Sequence, residues 1–277
     1  MEELKVDAKH VVTNKYLFSE DLLCKLKYIF VELDDERTIL SLGDFLQRLH
    51  TMKLLQIGGL DAWLPEEKVE NGMRVEIIEA KYQLEHILIE ESSVTNNLVI
   101  LRVKGCDRLV NLVPSSTSFQ NLTNLVVSRC NNLKIVITSS VAKTLVRLRY
   151  MEIQSCDRIT EIVLADDVVA KDEVITFREL KELKLLNLES LTSFCSGNCA
   201  FKFPSLERLM LDDCPDMKIF SEGKLSTPKL HKVQRWGEEC WAWKDDLNTT
   251  IQKEYISQQS AFSLSCVFST FTLTPNP

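Results

Sequence analysis

The stretch NLVILRVKGCDRL, residues 97–109, decides the fold. Its apolar skeleton is Leu98-x-x-Leu101-x-Val103-x-x-Cys106-x-x-Leu109. The skeleton returns as Leu122-x-x-Leu125-x-Val127-x-x-Cys130-x-x-Leu133 and as Leu148-x-x-Met151-x-Ile153-x-x-Cys156-x-x-Ile159. It returns again as Leu206-x-x-Leu209-x-Leu211-x-x-Cys214-x-x-Met217. Around the second apolar position each copy alternates, the period of a strand with one buried face. A unit this small cannot bury that face alone, so successive copies must stack on one another.

A fixed skeleton recurring every ~20–29 residues is the mark of a leucine-rich repeat. With the second apolar position as anchor, the clear units sit at Leu101, Leu125, Met151, Leu183, Leu209 and Val233, separated by 24, 26, 32, 26 and 24 residues. Working backwards, weaker copies anchor at Leu4, Ile29, Leu55 and Val75. The expected fold is α/β: a leucine-rich-repeat solenoid, horseshoe-shaped, with a parallel β-sheet on the concave face and about ten irregular repeats. The repeat domain runs over 1–235 and is clearest over 97–235. A repeat starting at Leu4 with no cap before it reads as part of a longer chain. Residues 236–256 hold Trp236, Trp241 and Trp243 and are expected to cap the last apolar face, with a short helix carrying Leu247 and Ile251. Residues 257–277 are Ser/Thr-rich, end in prolines and are expected to be a disordered tail. Between Cys130 and Leu148 the spacing of Val141, Leu145 and Leu148 is compatible with a helix. The longest unit holds the insert LADDVVAKDEV, residues 164–174, read as an exposed acidic loop.

At 45% apolar and 26% charged residues, the 277-residue chain has a globular rather than a disordered composition. A net charge of −7 argues against a nucleic-acid footprint. No apolar run approaches the ~18 residues of a membrane span, and the start, MEELKVDAKH, has no secretory h-region. Four of the nine cysteines, Cys106, Cys130, Cys156 and Cys214, share one repeat position. There they are expected to point inward as small apolar groups. Without a secretory signal, reduced thiols fit a cytoplasmic chain. The four histidines, His10, His50, His86 and His231, fall in different units, none beside a nucleophile motif such as G-x-S-x-G. Cys195 and Cys199 lack the second pair of ligands that a zinc site needs. The expectation is no enzymatic activity, no metal and no cofactor.

Residues beside the anchors face the other way and are the ones left to recognise something. The expected protein-binding set is Tyr28, Phe30, Arg102, Lys104, Val126, Tyr150, Glu152, Lys184, Arg208 and Met210. Parallel stacking should place Arg102, Val126, Glu152, Lys184 and Met210 in one row across the sheet. Ile100 and Leu186 are also assigned to this outward face. Tyr150, with Arg102 and Arg208 on neighbouring strands, is the expected contact centre, since interfaces favour Tyr, Met and Arg anchors. An acidic peptide or protein surface would suit the basic members.

Runs such as CDRLVNLVPSSTSFQNLTNLVVSRCNNL (106–133), LVRLRYMEIQSCDRITEIV (145–163) and DLNTTIQK (246–253) resemble a known family. They are similar to the C-terminal repeats of plant intracellular disease-resistance proteins, the coiled-coil, nucleotide-binding, leucine-rich-repeat (CC-NB-LRR) immune receptors. The resemblance spans roughly 1–253 and is most specific over 97–253. It implies a non-catalytic sensing and autoinhibitory module for pathogen defence in the plant cytoplasm. The implied partners are proteins: a pathogen effector, a host guarded protein, or the receptor's own nucleotide-binding domain, with no nucleic acid and no membrane. The family's phosphate loop, G-x-x-x-x-G-K-[ST], has no counterpart here: Gly58-Gly59 is followed by LDAWLP. Nucleotide binding is therefore not carried over. The alternatives are a leucine-rich-repeat substrate adaptor of the ubiquitin-ligase type and a truncated, non-functional receptor remnant.

Overall fold

The computed structural model describes residues 98–107, 109–166, 174–235, 237 and 240–257, and before them the backbone of four strands. Those strands are β1 (Glu3–Asp7), β2 (Tyr28–Glu32), β3 (Leu54–Gly58) and β4 (Met73–Ile78). They are followed by β5 (Leu98–Lys104), β6 (Asn124–Ser128), β7 (Ile135–Thr138), helix α1 (Ser139–Thr144), β8 (Tyr150–Gln154) and β9 (Glu161–Leu164). Next come β10 (Val174–Thr176), β11 (Glu182–Leu186), β12 (Ala200–Lys202), β13 (Arg208–Asp212) and β14 (Leu225–Ser226). Strands β15 (Val233–Gln234) and β16 (Cys240–Trp241) and helix α2 (247–257) complete the chain order.

One sheet dominates, in the order β1-β2-β3-β4-β5-β6-β8-β11-β13-β15-β16. Its pairs are parallel up to β15, and β16 then closes the edge antiparallel. Behind it lie a two-stranded sheet, β7-β9, and a three-stranded one, β10-β12-β14. This is a parallel-strand solenoid of the leucine-rich-repeat kind, with few helices. The anchors stand opposite one another despite their unequal spacing: Leu101 pairs with Leu125, Leu125 with Met151, Met151 with Leu183, Leu183 with Leu209 and Leu209 with Val233. The backbone register extends upstream through Val75, Leu55, Ile29 and Leu4. Units of different length stay in register because the extra residues are taken up behind the sheet, not within it.

The interior is apolar. Every clear anchor is buried, as are the residues two further on, Val103, Val127, Ile153, Leu185 and Leu211. Behind the sheet a set of buried phenylalanines fills the space between turns. Phe177 stacks on Phe203 at 5.1 Å, Phe194 on Phe220 at 4.7 Å, and Phe194 meets Phe203 edge-on at 5.7 Å. Offset and edge-on rings of this kind add to the stabilisation from their buried area. Cys106, Cys130 and Cys156 lie inside, all free thiols, and each donates a hydrogen bond to the carbonyl two residues earlier. Cys214 makes the same contact to Asp212 O at 3.5 Å from a less buried position.

A second regularity sits just before that cysteine. Gly105, Arg129, Ser155, Asn187 and Asp213 all have positive φ, between 51° and 67°. Outside glycine, this left-handed turn costs roughly 1–2 kcal/mol. It is offset by the lateral bonds it makes possible. The Gly105 N–H donates to Ser128 O at 2.9 Å, Arg129 to Gln154 O at 3.0 Å, Ser155 to Leu186 O at 2.9 Å and Asn187 to Asp212 O at 2.9 Å. Each turn thus extends its neighbour's ladder by one rung while swinging the chain out of the sheet.

The back side is more extended than the helical spacing suggested. Between Cys130 and Leu148 the chain runs as β7 and then as the single short helix α1. Thr138 caps that helix, accepting from the Val141 N–H at 3.4 Å. Asp166, read above as part of a loose acidic loop, is instead a fixed partner of the same helix end. It accepts from Ser139 Oγ at 2.6 Å and from the Ser140 N–H at 3.1 Å. Burial alone would raise its pKa, but the hydrogen bonds from Ser139 and Ser140 outweigh that and hold the carboxyl below its ordinary range. The remainder of the insert, 167–173, lies outside the described residues. So does the tail beyond 257.

The solenoid ends by a substitution of side chain for backbone. Along the back, the N–H groups of Ile162 and Val163 donate to Phe194 O, and those of Phe194 and Cys195 to Phe220 O. At Phe220 no further turn among the described residues supplies a carbonyl. Asn248, in α2, supplies its own: Oδ1 accepts from the Phe220 N–H at 3.0 Å and from the Ser221 N–H at 3.2 Å, while Nδ2 donates to Ser221 O at 2.8 Å. Leu247 and Ile251 of the same helix are buried against the last turn. Replacing Asn248 with alanine would leave two N–H groups facing no acceptor, at a cost of about 1–3 kcal/mol. We expect Asn248→Ala to speed amide hydrogen exchange at Phe220 and Ser221 at least about tenfold. Unchanged protection at both amides would show that the helix does not act as the last rung.

Candidate functional site

The outward face of the main sheet corresponds to the concave face of a leucine-rich-repeat solenoid. Register places Arg102 beside Val126, Val126 beside Glu152, Glu152 beside Lys184 and Lys184 beside Met210. The five expected neighbours therefore form one continuous row. Gln234 extends it downstream of Met210, and Glu76, Gln56 and Phe30 extend the backbone register upstream of Arg102. Tyr28 occupies the adjacent row, in register with Leu54. The side chains of Tyr28 and Phe30 lie outside the described residues. Lys104 and Ser128 stand together in a third row.

Three expectations about this face change. Tyr150 is not next to Arg102 or Arg208, because β6 lies between it and Arg102 and β11 between it and Arg208. Two strand widths separate each pair, about 10 Å. Ile100 is 7% exposed and Leu186 only 4%, so both are buried rather than open, although neither joins the main apolar cluster. Leu186 is walled in by Gln154 and Asp212 on either side. Alternation identifies which face a residue is on, but long polar neighbours on that face can still bury it.

What the sheet brings together is a connected group centred on Lys184. Its ammonium lies 3.4 Å from Glu182 and 3.7 Å from Glu152, and 5.1 Å from the centre of the Tyr150 ring. Tyr150 donates its hydroxyl proton to Glu152. Glu182 also receives Arg208, at 2.8 Å. One residue further along, Arg235 lies 3.6 Å from Asp212. The aromatic ring expected at the contact centre is therefore half-buried and engaged on both its edge and its face. Arg208 reaches out from this group and is 61% exposed, whereas Lys184, Glu152 and Glu182 sit lower. Met210 adds an apolar, partly open patch beside Lys184.

The electrostatics follow from this packing. Burial, then the Glu152 carboxylate, pushes the Tyr150 phenol from 10.0 up to about 12. For Lys184 burial works the other way, but Tyr150 and the two glutamates outweigh it and raise its pKa. Both groups are thus held protonated, so the surface carries a fixed pattern: a tethered cation between two anions, with the exposed Arg208 guanidinium paired to Glu182 at one end. Elsewhere, burial pushes the thiols of Cys195 and Cys214 up to about 12. A thiol in that state is a packing group and a poor nucleophile at neutral pH. Among the described residues no three His, Cys, Asp or Glu side chains converge as a metal site would require. No helix among them is long and apolar enough to cross a membrane.

Because folding raises the Tyr150 pKa, its contribution to stability is complete below pH 10.0 and fades as the pH rises towards about 12. In a spectrophotometric titration, Tyr150→Phe is expected to remove a phenol that ionises near pH 12. Loss of a phenol titrating at the ordinary value instead would mean that the Glu152 contact does not hold in solution.

Comparison with known proteins agrees with this architecture. Residues 113–223 match the family model of the leucine-rich repeats of plant disease resistance proteins of the RPS2-like kind. Over 152 residues the chain is 24% identical to a probable disease resistance protein of Arabidopsis thaliana, a stretch covering 53% of this chain. The chain spans only 16% of the length of that curated relative. No solved structure matches. The repeat region of this chain is thus similar to the leucine-rich repeats of plant disease resistance proteins, and the chain as a whole has a disease resistance protein among its relatives.

Proposed function

We propose that this chain is a non-catalytic protein-interaction module of an intracellular plant immune receptor, and that it works through the outward row of its main sheet. The observation that carries the reading is the row itself. Arg102, Val126, Glu152, Lys184 and Met210 stand side by side on five adjacent strands. Their side chains take no part in the apolar interior. A row mixing arginine, lysine, glutamate, valine and methionine, with Tyr150 at its flank, has the make-up of an interface centre. The similarity to disease resistance repeats supplies the setting.

The partner, on this reading, is a protein: a pathogen effector, a host protein that the receptor guards, or the receptor's own nucleotide-binding domain held in an autoinhibited state. The described face offers extended edges and side-chain rows rather than a cleft with converging acid and base groups. That suits recognition without turnover, in the cytoplasm, with no cofactor. Arg102 and Lys104 at one end and Arg208 at the other set the reach of the contact. The pinned Lys184 cluster between them limits the entropy lost on binding.

The test uses the chain as bait in plant leaf extract, side by side with the double variant Tyr150→Ala/Met210→Ala. Both residues are partly open, so the fold should persist, as circular dichroism can verify. Truncating two central anchors is expected to cost roughly 2–4 kcal/mol of binding. Proteins retained by the native chain should therefore be depleted at least about tenfold from the variant. Equal retention by both would remove this row from the binding surface.

A further inference from the structure

The edge of the main sheet where each turn leads into its strand carries a basic patch that the interior does not require. Arg147, Arg149, Arg178, Lys181 and Arg208 are all exposed there. Backbone rungs fix their spacing. The Arg149 N–H donates to Thr123 O at 2.8 Å, the Lys181 N–H to Arg149 O at 2.9 Å, and the Arg208 N–H to Lys181 O at 3.0 Å. Arg149 and Lys181 therefore leave from successive rungs about 4.8 Å apart, with Glu207 next in register and Arg208 one residue further along its strand. The carboxylates lying among them are largely spoken for: Glu179 faces Arg149 at 2.8 Å, and Glu182 is shared by Lys184 and Arg208. Among the described residues, Arg147 reaches the amide oxygen of Asn121, at 3.1 Å, rather than a carboxylate. Arg178 and Lys181 form no ion pair among the described residues.

The opposite edge, where the strands hand over to the left-handed residues, has the reverse character. Asp107, Asp157, Glu189, Asp213 and Asp216 are exposed along it, with Arg129 and Arg158 between them. A chain with a net charge of −7 thus concentrates positive side chains on one edge. Four of the five are arginines, whose planar fork matches a carboxylate in two-point contact. A densely charged polyanion such as a nucleic acid would meet the whole acidic chain and the intervening Glu179, Glu182 and Glu207. A peptide can place its carboxylates selectively and direct its amides to those glutamates.

We propose that this edge, centred on Arg147, Arg149 and Lys181, docks a carboxylate-rich segment of a partner protein, which then continues onto the Lys184–Tyr150 row. The proposal rests on the reading of the chain as a protein-interaction module and adds the chemistry of what it binds. Exposed ion pairs contribute little singly, so the effect comes from several arginines acting together and shows as salt-sensitive association.

The probe is a fluorescein-labelled peptide of about a dozen residues, alternating glutamate with serine and tyrosine, followed by anisotropy with the whole chain at ~0.15 M salt. Its partner probe has glutamine in place of glutamate. The glutamate peptide should bind and the glutamine peptide should not. The triple change Arg147→Glu, Arg149→Glu, Lys181→Glu is expected to weaken binding at least about tenfold. Asp157→Lys with Asp216→Lys, on the opposite edge, should leave it within about twofold. All these positions are exposed, and a thermal melt verifies that the variants fold. Three results overturn the proposal: equal binding by the triple variant, equal binding of the glutamine peptide, and displacement of the peptide by a lower concentration of single-stranded DNA of the same length. Any of these leaves the row proposed for protein recognition standing if Tyr150→Ala/Met210→Ala still loses its captured partners, so the two claims fail separately.

Discussion

A strand of this chain presents an apolar column on one side, and nothing within its own turn can cover that column. Leu101 and Val103 become buried only because Leu125 and Val127 stack beside them, and these in turn need Met151 and Ile153. Dependence of each turn on its neighbours is the constraint behind the rest of the structure. It demands that strands of successive units stay in register although the units differ in length. It also demands that the chain leave the sheet at the same point each time, which the left-handed residues at Gly105, Arg129, Ser155, Asn187 and Asp213 accomplish. Behind the last described turn, an asparagine side chain stands in for a backbone carbonyl.

The same dependence explains what was legible in the sequence. Inward residues must be apolar at every turn, so Leu101, Leu125, Met151, Leu183, Leu209 and Val233 announce themselves, and their register follows from nothing more than alignment of the skeletons. The cysteine position was legible for the same reason, as packing. The left-handed position was not, because backbone conformation there is imposed by the lateral ladder and is filled by glycine, arginine, serine, asparagine and aspartate alike. Asn248 carries no periodic signal either, since a rung made once has nothing to repeat. The stacked phenylalanines do follow the repeat: Phe177 and Phe203 stand at the same place before Leu183 and Leu209, and Phe194 and Phe220 at the same place after them.

For the outward face, the row from Arg102 to Met210 could be read from the repeat alone, but its state could not. Whether Tyr150 is an open anchor or a buried partner depends on Glu152 and Lys184, the second of which lies one whole long unit away. The burial of Ile100 and Leu186 likewise depends on neighbours across the sheet rather than along the chain. Recognition by such a surface divides into two physical parts. On the interaction-module reading, a central cluster of mutually paired charges defines shape, while the exposed Arg208 at its margin supplies charge. The scaffold lends both parts precision because their backbones are rungs of the same ladder.

The central claim is that two adjacent residues of one strand have separate tasks, one building the solenoid and the other facing a partner. Leu209 and Met210 test it most directly, being apolar, similar in volume and consecutive in β13, with Leu209 fully buried and Met210 partly open. Denaturant unfolding of Leu209→Ala should show a loss of about 2–5 kcal/mol, and that of Met210→Ala a loss below about 1 kcal/mol. Equal losses from the two substitutions would contradict the division of the strand into an inward and an outward face.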